Sequence, residues 1–140
     1  MAEIKPVIVD TNILFSALLS SQSSFAETLL KSEHQFFVCE QILVEMFKHK
    51  EKIAKLSKLP ESDLIQLFYI LLKRLNLFKE DLISHENRKK AFELCRDVDE
   101  TDTPHVALTL ELDGSLWTGD KVLKEGLRLK GFNQFFEPKE

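Results

Sequence analysis

Four carboxylates from four separate segments are the residues of this 140-residue chain best suited to chemistry: Asp10, Glu45, Asp102 and Asp120. Asp10 ends VIVD, directly after three branched apolar residues that read as a short buried strand. Asp120 follows SLWTG, and so stands at the carboxyl end of a later strand. Asp102 closes the acid-rich loop DVDETD (97–102) and opens a helix. Glu45 lies one turn into the helix after QFFVC, about 60° round from Ile42 at the edge of its apolar stripe. Open α/β sheets bind ligands beyond the carboxyl ends of their strands, and three of these segments can begin at the same end of one sheet.

Each aspartate also precedes a helix, where Asp is a favoured N-cap worth about 1 kcal/mol. For any one of them alone, capping is the simpler account, and Glu45 alone reads as a helix-edge residue reaching solvent. The set behaves differently. Two unit charges 4 Å apart repel by about 4 kcal/mol at an effective dielectric of 20, so a cluster of carboxylates is a liability unless a cation neutralises it. Hard oxygen ligands without His or Cys suit Mg²⁺ or Mn²⁺, not zinc. A carboxylate that caps a helix can also hold a metal, so the two accounts are compatible.

The elements that must position these acids alternate. Strands are expected at Pro6–Val9, Gln35–Cys39, Leu77–Phe78, SLWT (115–118) and Gln134–Phe136, and helices at Thr11–Leu19, FAETLLKS (25–32) capped by Ser24, Gln41–Leu56, DLIQLFYILLKRL (63–75), Glu86–Arg96, HVALTLEL (105–112) and Asp120–Lys130. Asp113-Gly114 reads as a turn, and Gly131 as a helix stop. Strands separated by helices imply a three-layer α/β domain, with a central, mostly parallel, twisted sheet covered on both faces. No repeat, linker or low-complexity tract divides residues 1–140, so one domain is expected.

Composition is that of an ordinary soluble protein, 44% hydrophobic and 30% charged. No stretch approaches the roughly 18 apolar residues of a membrane span, and MAEIKPVIVD lacks the basic start and apolar run of a signal peptide. Cys39 and Cys95 show no metal-finger spacing and read as reduced core thiols. A cytoplasmic protein is therefore expected. A net charge of −4 argues mildly against nucleic-acid binding through a bulk basic field, although a bound cation would invert the local sign.

VDTNIL (9–14), the glutamate of LVEMF (43–47), DTPHVALTLEL (102–112) and LWTGDKVL (116–123) together resemble the motifs of PIN-domain nucleases. The likeness is closest to the small single-domain kind that serves as toxin in type II toxin–antitoxin pairs. The resemblance implies a PIN-like fold and metal-dependent hydrolysis of phosphodiester bonds in single-stranded or structured RNA. It assigns Asp10, Glu45, Asp102 and Asp120 as the catalytic acids, with Asp10, Asp102 and Asp120 as ligands of Mg²⁺ or Mn²⁺. Asn12 would brace Asp10, Thr118 would sit in the pocket wall, and Asp99 would be an accessory acid or the true third acid. Homodimerisation and a protein antitoxin are expected on the same ground.

Other features fit around this reading. KHKEKIAKLSK (48–58) carries five lysines against one glutamate, and Lys48, Lys50 and Lys52 are its candidate phosphate contacts. Arg88, Lys89 and Lys90 form a second basic cluster. His105 faces an apolar helix and reads as structural, while His34, His49 and His85 read as surface residues. No alternation of aromatic and basic residues marks a base-stacking surface. The 63–75 helix is apolar on more than one side, as a core helix or as a groove for a protein partner. Two rivals remain. A haloacid-dehalogenase-like phosphatase would place a second acid where Asn12 stands, and a non-catalytic RNA-binding or scaffold domain should have lost one of the four acids.

Overall fold

Three consecutive buried residues at Val7–Val9 can be satisfied only in the middle of a covered sheet, and that is where they lie. The computed structural model describes residues 5–19 and 23–138. Val7–Val9 (β1), Phe36–Cys39 (β2), Leu75–Phe78 (β3) and Ser115–Trp117 (β4) form a sheet of order β3-β2-β1-β4 in which every neighbouring pair is parallel. The register sets Val9 opposite Trp117 and Ile8 opposite Phe37 and Leu116. Parallel neighbours need crossovers, supplied by Thr11–Leu19 (α1), Ser24–Lys31 (α2), Gln41–Lys48 (α3), Lys50–Leu56 (α4), Glu61–Arg74 (α5), His85–Cys95 (α6) and Thr103–Leu112 (α7), and Lys121–Leu129 (α8) follows β4.

Alternation along β1 splits the core into two. Val7 and Val9 pack with Phe36, Val38 and Trp117 against α1 to α5, through Ile13, Leu29, Ile42, Met46, Leu67 and Leu71 among others. Ile8 turns the other way, with Cys39 and Leu116, onto Ala91 and Cys95 of α6, Val106 and Leu108 of α7, and Leu123 and Leu127 of α8. Each fully buried Leu or Ile contributes roughly 1.5–3 kcal/mol, so strands of three or four residues are held mainly by their two covered faces. Both cysteines are free and buried, and burial pushes their thiols up, to about 12 for Cys39 and about 11 for Cys95. Among the described residues, no helix is long and apolar enough to cross a membrane.

Several local expectations need correction. The helix over 41–56 breaks at His49 (φ −106°, ψ 15°) into α3 and α4. Both segments pack on α1, and a helix pair wrapping a core must bend somewhere. Ser23, not Ser24, caps α2, its Oγ accepting the Ala26 N–H at 3.1 Å. The strand at 77–78 begins two residues earlier, at Leu75, and the last strand shrinks to a single bridge from Phe135 to Leu116. At the 113–114 turn it is Asp113 that takes the left-handed conformation (φ 50°). Gly114 is required for space instead, since a Cβ there would lie 2.4 Å from the Pro6 carbonyl oxygen.

The 63–75 segment, mostly α5 here, is a core helix along one side and apolar but exposed along another. Leu64, Leu67 and Leu71 enter the core, while Ile65, Tyr69 and Ile70 stand exposed.

Candidate metal centre

The chain leaves β1 towards β2 on one side, and β4 adds to β1 on the other, so the strand order reverses at β1. Crevices in open α/β sheets form at such a switch, beyond the carboxyl ends of the strands. Asp10 follows β1 and Asp120 stands three residues past the end of β4, on either side of that crevice. The Asp10 backbone N–H donates to the Trp117 carbonyl at 3.2 Å, tying the two strand ends together. A cavity of about 320 Å³ opens there, lined by Asp10, Glu45, Asp99, Asp102 and Asp120 along with Thr11, Asn12, Phe15, Gln41, His49 and His105.

Capping accounts for part of this arrangement. Asp10, only 3% exposed, accepts the Ile13 N–H on Oδ1 at 3.0 Å, and Asp120 accepts the Leu123 N–H on Oδ1 at 3.1 Å. Each cap uses Oδ1 and leaves Oδ2 for a ligand. Asp99 accepts the Thr101 backbone N–H at 3.1 Å and its hydroxyl at 2.6 Å. These bonds hold the Asp99 carboxyl below the usual carboxylate range. Asp102 precedes α7 and makes no side-chain cap. Its carboxylate therefore gains nothing from local backbone geometry.

Asp102 instead faces its fellow acids. One carboxylate oxygen each from Asp99, Asp102 and Asp120 lie within 4.8 Å of one another. Burial first, then the charges of Asp99, Asp10 and Asp120, together with a hydrogen bond to Asp99, push the Asp102 carboxyl up to about 7. A hard cation fits this donor set. An octahedral Mg²⁺ holds oxygens at 2.0–2.1 Å, so ligands across the ion lie about 4.2 Å apart. A cluster of this span would have to close only slightly to hold one ion. The expected trio was Asp10, Asp102 and Asp120; the tight trio contains Asp99 in place of Asp10, with Asp10 in the same cavity wall.

The other expected site residues are more scattered. Glu45 lines the cavity from α3, half-buried, with Oε2 3.9 Å from His49 Nε2. Asn12 is exposed at the rim, and the Asp10 carboxylate is held by the Ile13 N–H rather than by the Asn12 side chain. Thr118 is buried behind the wall, where its Oγ1 accepts the Asp120 N–H at 3.2 Å, and it does not line the acidic cavity. Lys48, Lys50 and Lys52 are exposed outside it, with the Lys50 ammonium 4.3 Å above the Phe47 ring.

His105, expected to be structural, and His49, expected at the surface, both line the cavity. His49 stands four residues after Glu45, a helical spacing that could have flagged it. His105 is buried in the first turn of α7, its Nε2 3.4 Å from Thr11 Oγ1 and its Nδ1 without a partner among the described residues. Burial pushes its imidazole towards the neutral form, against the opposing pull of Asp10 and Glu45.

No curated protein matches the chain in a sequence comparison. A family model described as PIN domain matches residues 8–135 and so takes in both strand ends and all five acids. Fold, acidic crevice and sequence match agree: the chain belongs to the PIN-domain family.

Proposed function

We propose that this protein is a metal-dependent endoribonuclease that hydrolyses phosphodiester bonds in RNA, and the toxin of a type II toxin–antitoxin pair. The observation that carries the nuclease reading is the convergence of five carboxylates on one cavity at the switch point of a PIN-family sheet. The toxin reading rests on the likeness of its four motifs to the small single-domain kind. Exposed apolar residues support a protein partner, an antitoxin or a second copy in a homodimer: Leu43, Val44 and Phe47 on α3, and Ile65, Tyr69 and Ile70 on α5. The free buried thiols fit work in the cytoplasm.

Asp99, Asp102 and Asp120 would hold Mg²⁺ or Mn²⁺, with Asp10 completing the negative field. When bound, the cation supplies Lewis-acid chemistry, acidifying water and offsetting the charge that builds on the phosphate. Glu45, in the wall of the same cavity, orients the attacking water and takes its proton. The water oxygen bonds to phosphorus as the bond to the leaving ribose oxygen breaks, so no nucleophile from the chain is consumed. Thr118 and the backbone of α8 fix Asp120, and Asn12 shapes the rim. Lys48, Lys50 and Lys52 neutralise phosphates along the strand, which makes binding fall steeply with salt.

Purified protein incubated with end-labelled single-stranded RNA tests the reading. Cutting is expected with Mg²⁺ or Mn²⁺ and none with EDTA. Undiminished cutting in EDTA would overturn the metal centre. Binding without cutting by the folded, Mn²⁺-loaded protein, over a panel of RNAs, would favour a non-catalytic RNA-binding domain.

A further inference from the structure

We propose that Phe15 and His49 form a subsite for one unpaired nucleobase of the RNA strand, beside the carboxylates of the cavity. The inference rests on the ribonuclease reading and names the part of the substrate that this wall receives. The two rings meet edge to face, with centroids 5.5 Å apart and planes at 79°, and both line the acidic cavity. Phe15 comes from the same face of α1 as Thr11, one turn earlier. His49 comes from the bend between α3 and α4. A bare phosphate offers no flat face to stack on these rings. A phosphodiester within RNA, by contrast, brings a base to within one nucleotide of the bond being cut. Bases stack on aromatic surfaces whatever their sequence.

The dimensions agree. About 320 Å³ lies at the small end of ligand cavities. A space of that size suits one nucleotide, and proteins that read RNA sequence mostly do so through bases splayed from loops and ends. The His49 side chain is 44% exposed, with the Glu45 carboxylate 3.9 Å from its Nε2. Asn12 and Gln41 share the same wall, and each amide carries donors and an acceptor for a base edge. Lys48 precedes His49 and Lys52 follows it by three residues, and neither belongs to an ion pair among the described residues. Nearness to His49 in the chain makes them the cations to meet phosphates next to the bound base.

An eight-nucleotide single-stranded RNA carrying one 2-aminopurine tests this, mixed with the full chain and Mg²⁺ in a stopped-flow instrument. Fluorescence reads stacking before any cleavage, and a gel of the same mixture reads cleavage. Wild type is expected to quench the probe, while the same RNA annealed to its complement is not quenched. Phe15→Leu and His49→Leu are each expected to weaken binding about 5- to 150-fold, the range for one stacked base, and Phe15→Trp to retain it. Phe15 also packs against the core, so its loss alone can unsettle the fold. His49→Leu keeps the test decisive.

Cleavage with no quenching, or quenching and affinity unchanged in both Leu variants, would overturn the base subsite and leave the nuclease reading standing. Quenching without cleavage would do the reverse. A change in sedimentation of the Leu variants with RNA affinity intact would assign the wall to a protein interface and also overturn the subsite.

Discussion

Asp10→Asn and Asp120→Asn are expected to lower metal-dependent RNA cleavage by about 10²-fold or more, with melting temperatures within a few degrees of wild type. The two roles of these residues separate in this substitution. Asp10 and Asp120 each accept a helix N–H on one oxygen, and Asn caps about as well as Asp. What Asn removes is the negative charge and the second anionic oxygen needed by a hard cation. The alanine counterparts lose the cap too, and should unfold about 1 kcal/mol more easily. Single-turnover cleavage and thermal melts of all four proteins check the pattern. Asn proteins that cut at the wild-type rate would leave these aspartates as caps and nothing more.

The cation-free protein is expected to lose stability as pH rises towards 7, and Asp102→Asn to remove that loss. Folding raises the Asp102 carboxyl from 3.8 to about 7. Between those values the folded state holds a proton that the unfolded state has released. The stabilisation is therefore complete below about pH 4 and is lost as pH climbs through 7. His105 works in the opposite direction below its ordinary value of 6.5, because its buried imidazole resists protonation. The clean observable is thus the wild-type melting temperature minus that of Asp102→Asn. It should fall from pH 5 to pH 7.5 by several degrees, at about 2–4 °C per kcal/mol in a chain of this size. Solvent reaches half-buried Asp102 and limits the effect. Added Mg²⁺ should raise the wild-type melting temperature more at pH 7.5 than at pH 5, because cation and proton compete for one carboxylate. A difference that stays flat from pH 5 to 7.5 would mean that Asp102 is not in the charged cluster.

The acids were legible in the sequence because their positions follow a rule of topology. An aspartate just past a buried strand has few places to go in a parallel sheet, and Asp10 and Asp120 lie where that rule puts them. The three layers followed from the same alternation of strands and helices. Asp99 was harder to place. Its entry into the tight trio depends on the short 3₁₀ turn Glu100–Asp102, and a loop of acids gives no periodicity from which to read a direction. The break at His49 was hidden because Ile42, Met46 and Ile53 keep helical spacing straight through it. That break turned an apparent surface histidine into a cavity residue. The Phe15–His49 pair left no trace for a related reason, since its rings come from segments 34 residues apart and meet only when α3 and α4 wrap α1. Local pattern carries strand ends well and tertiary encounters poorly.

Anomalous diffraction from crystals soaked in Mn²⁺ tests the metal centre most directly. A peak is expected among the Asp99, Asp102 and Asp120 carboxylates, beside Asp10, at about 2.0–2.2 Å from their oxygens, the distance of a hard octahedral ion, and its loss in Asp102→Asn. An acidic cavity without a peak at saturating Mn²⁺ and pH 7.5, in crystals whose protein still cuts RNA, would contradict it.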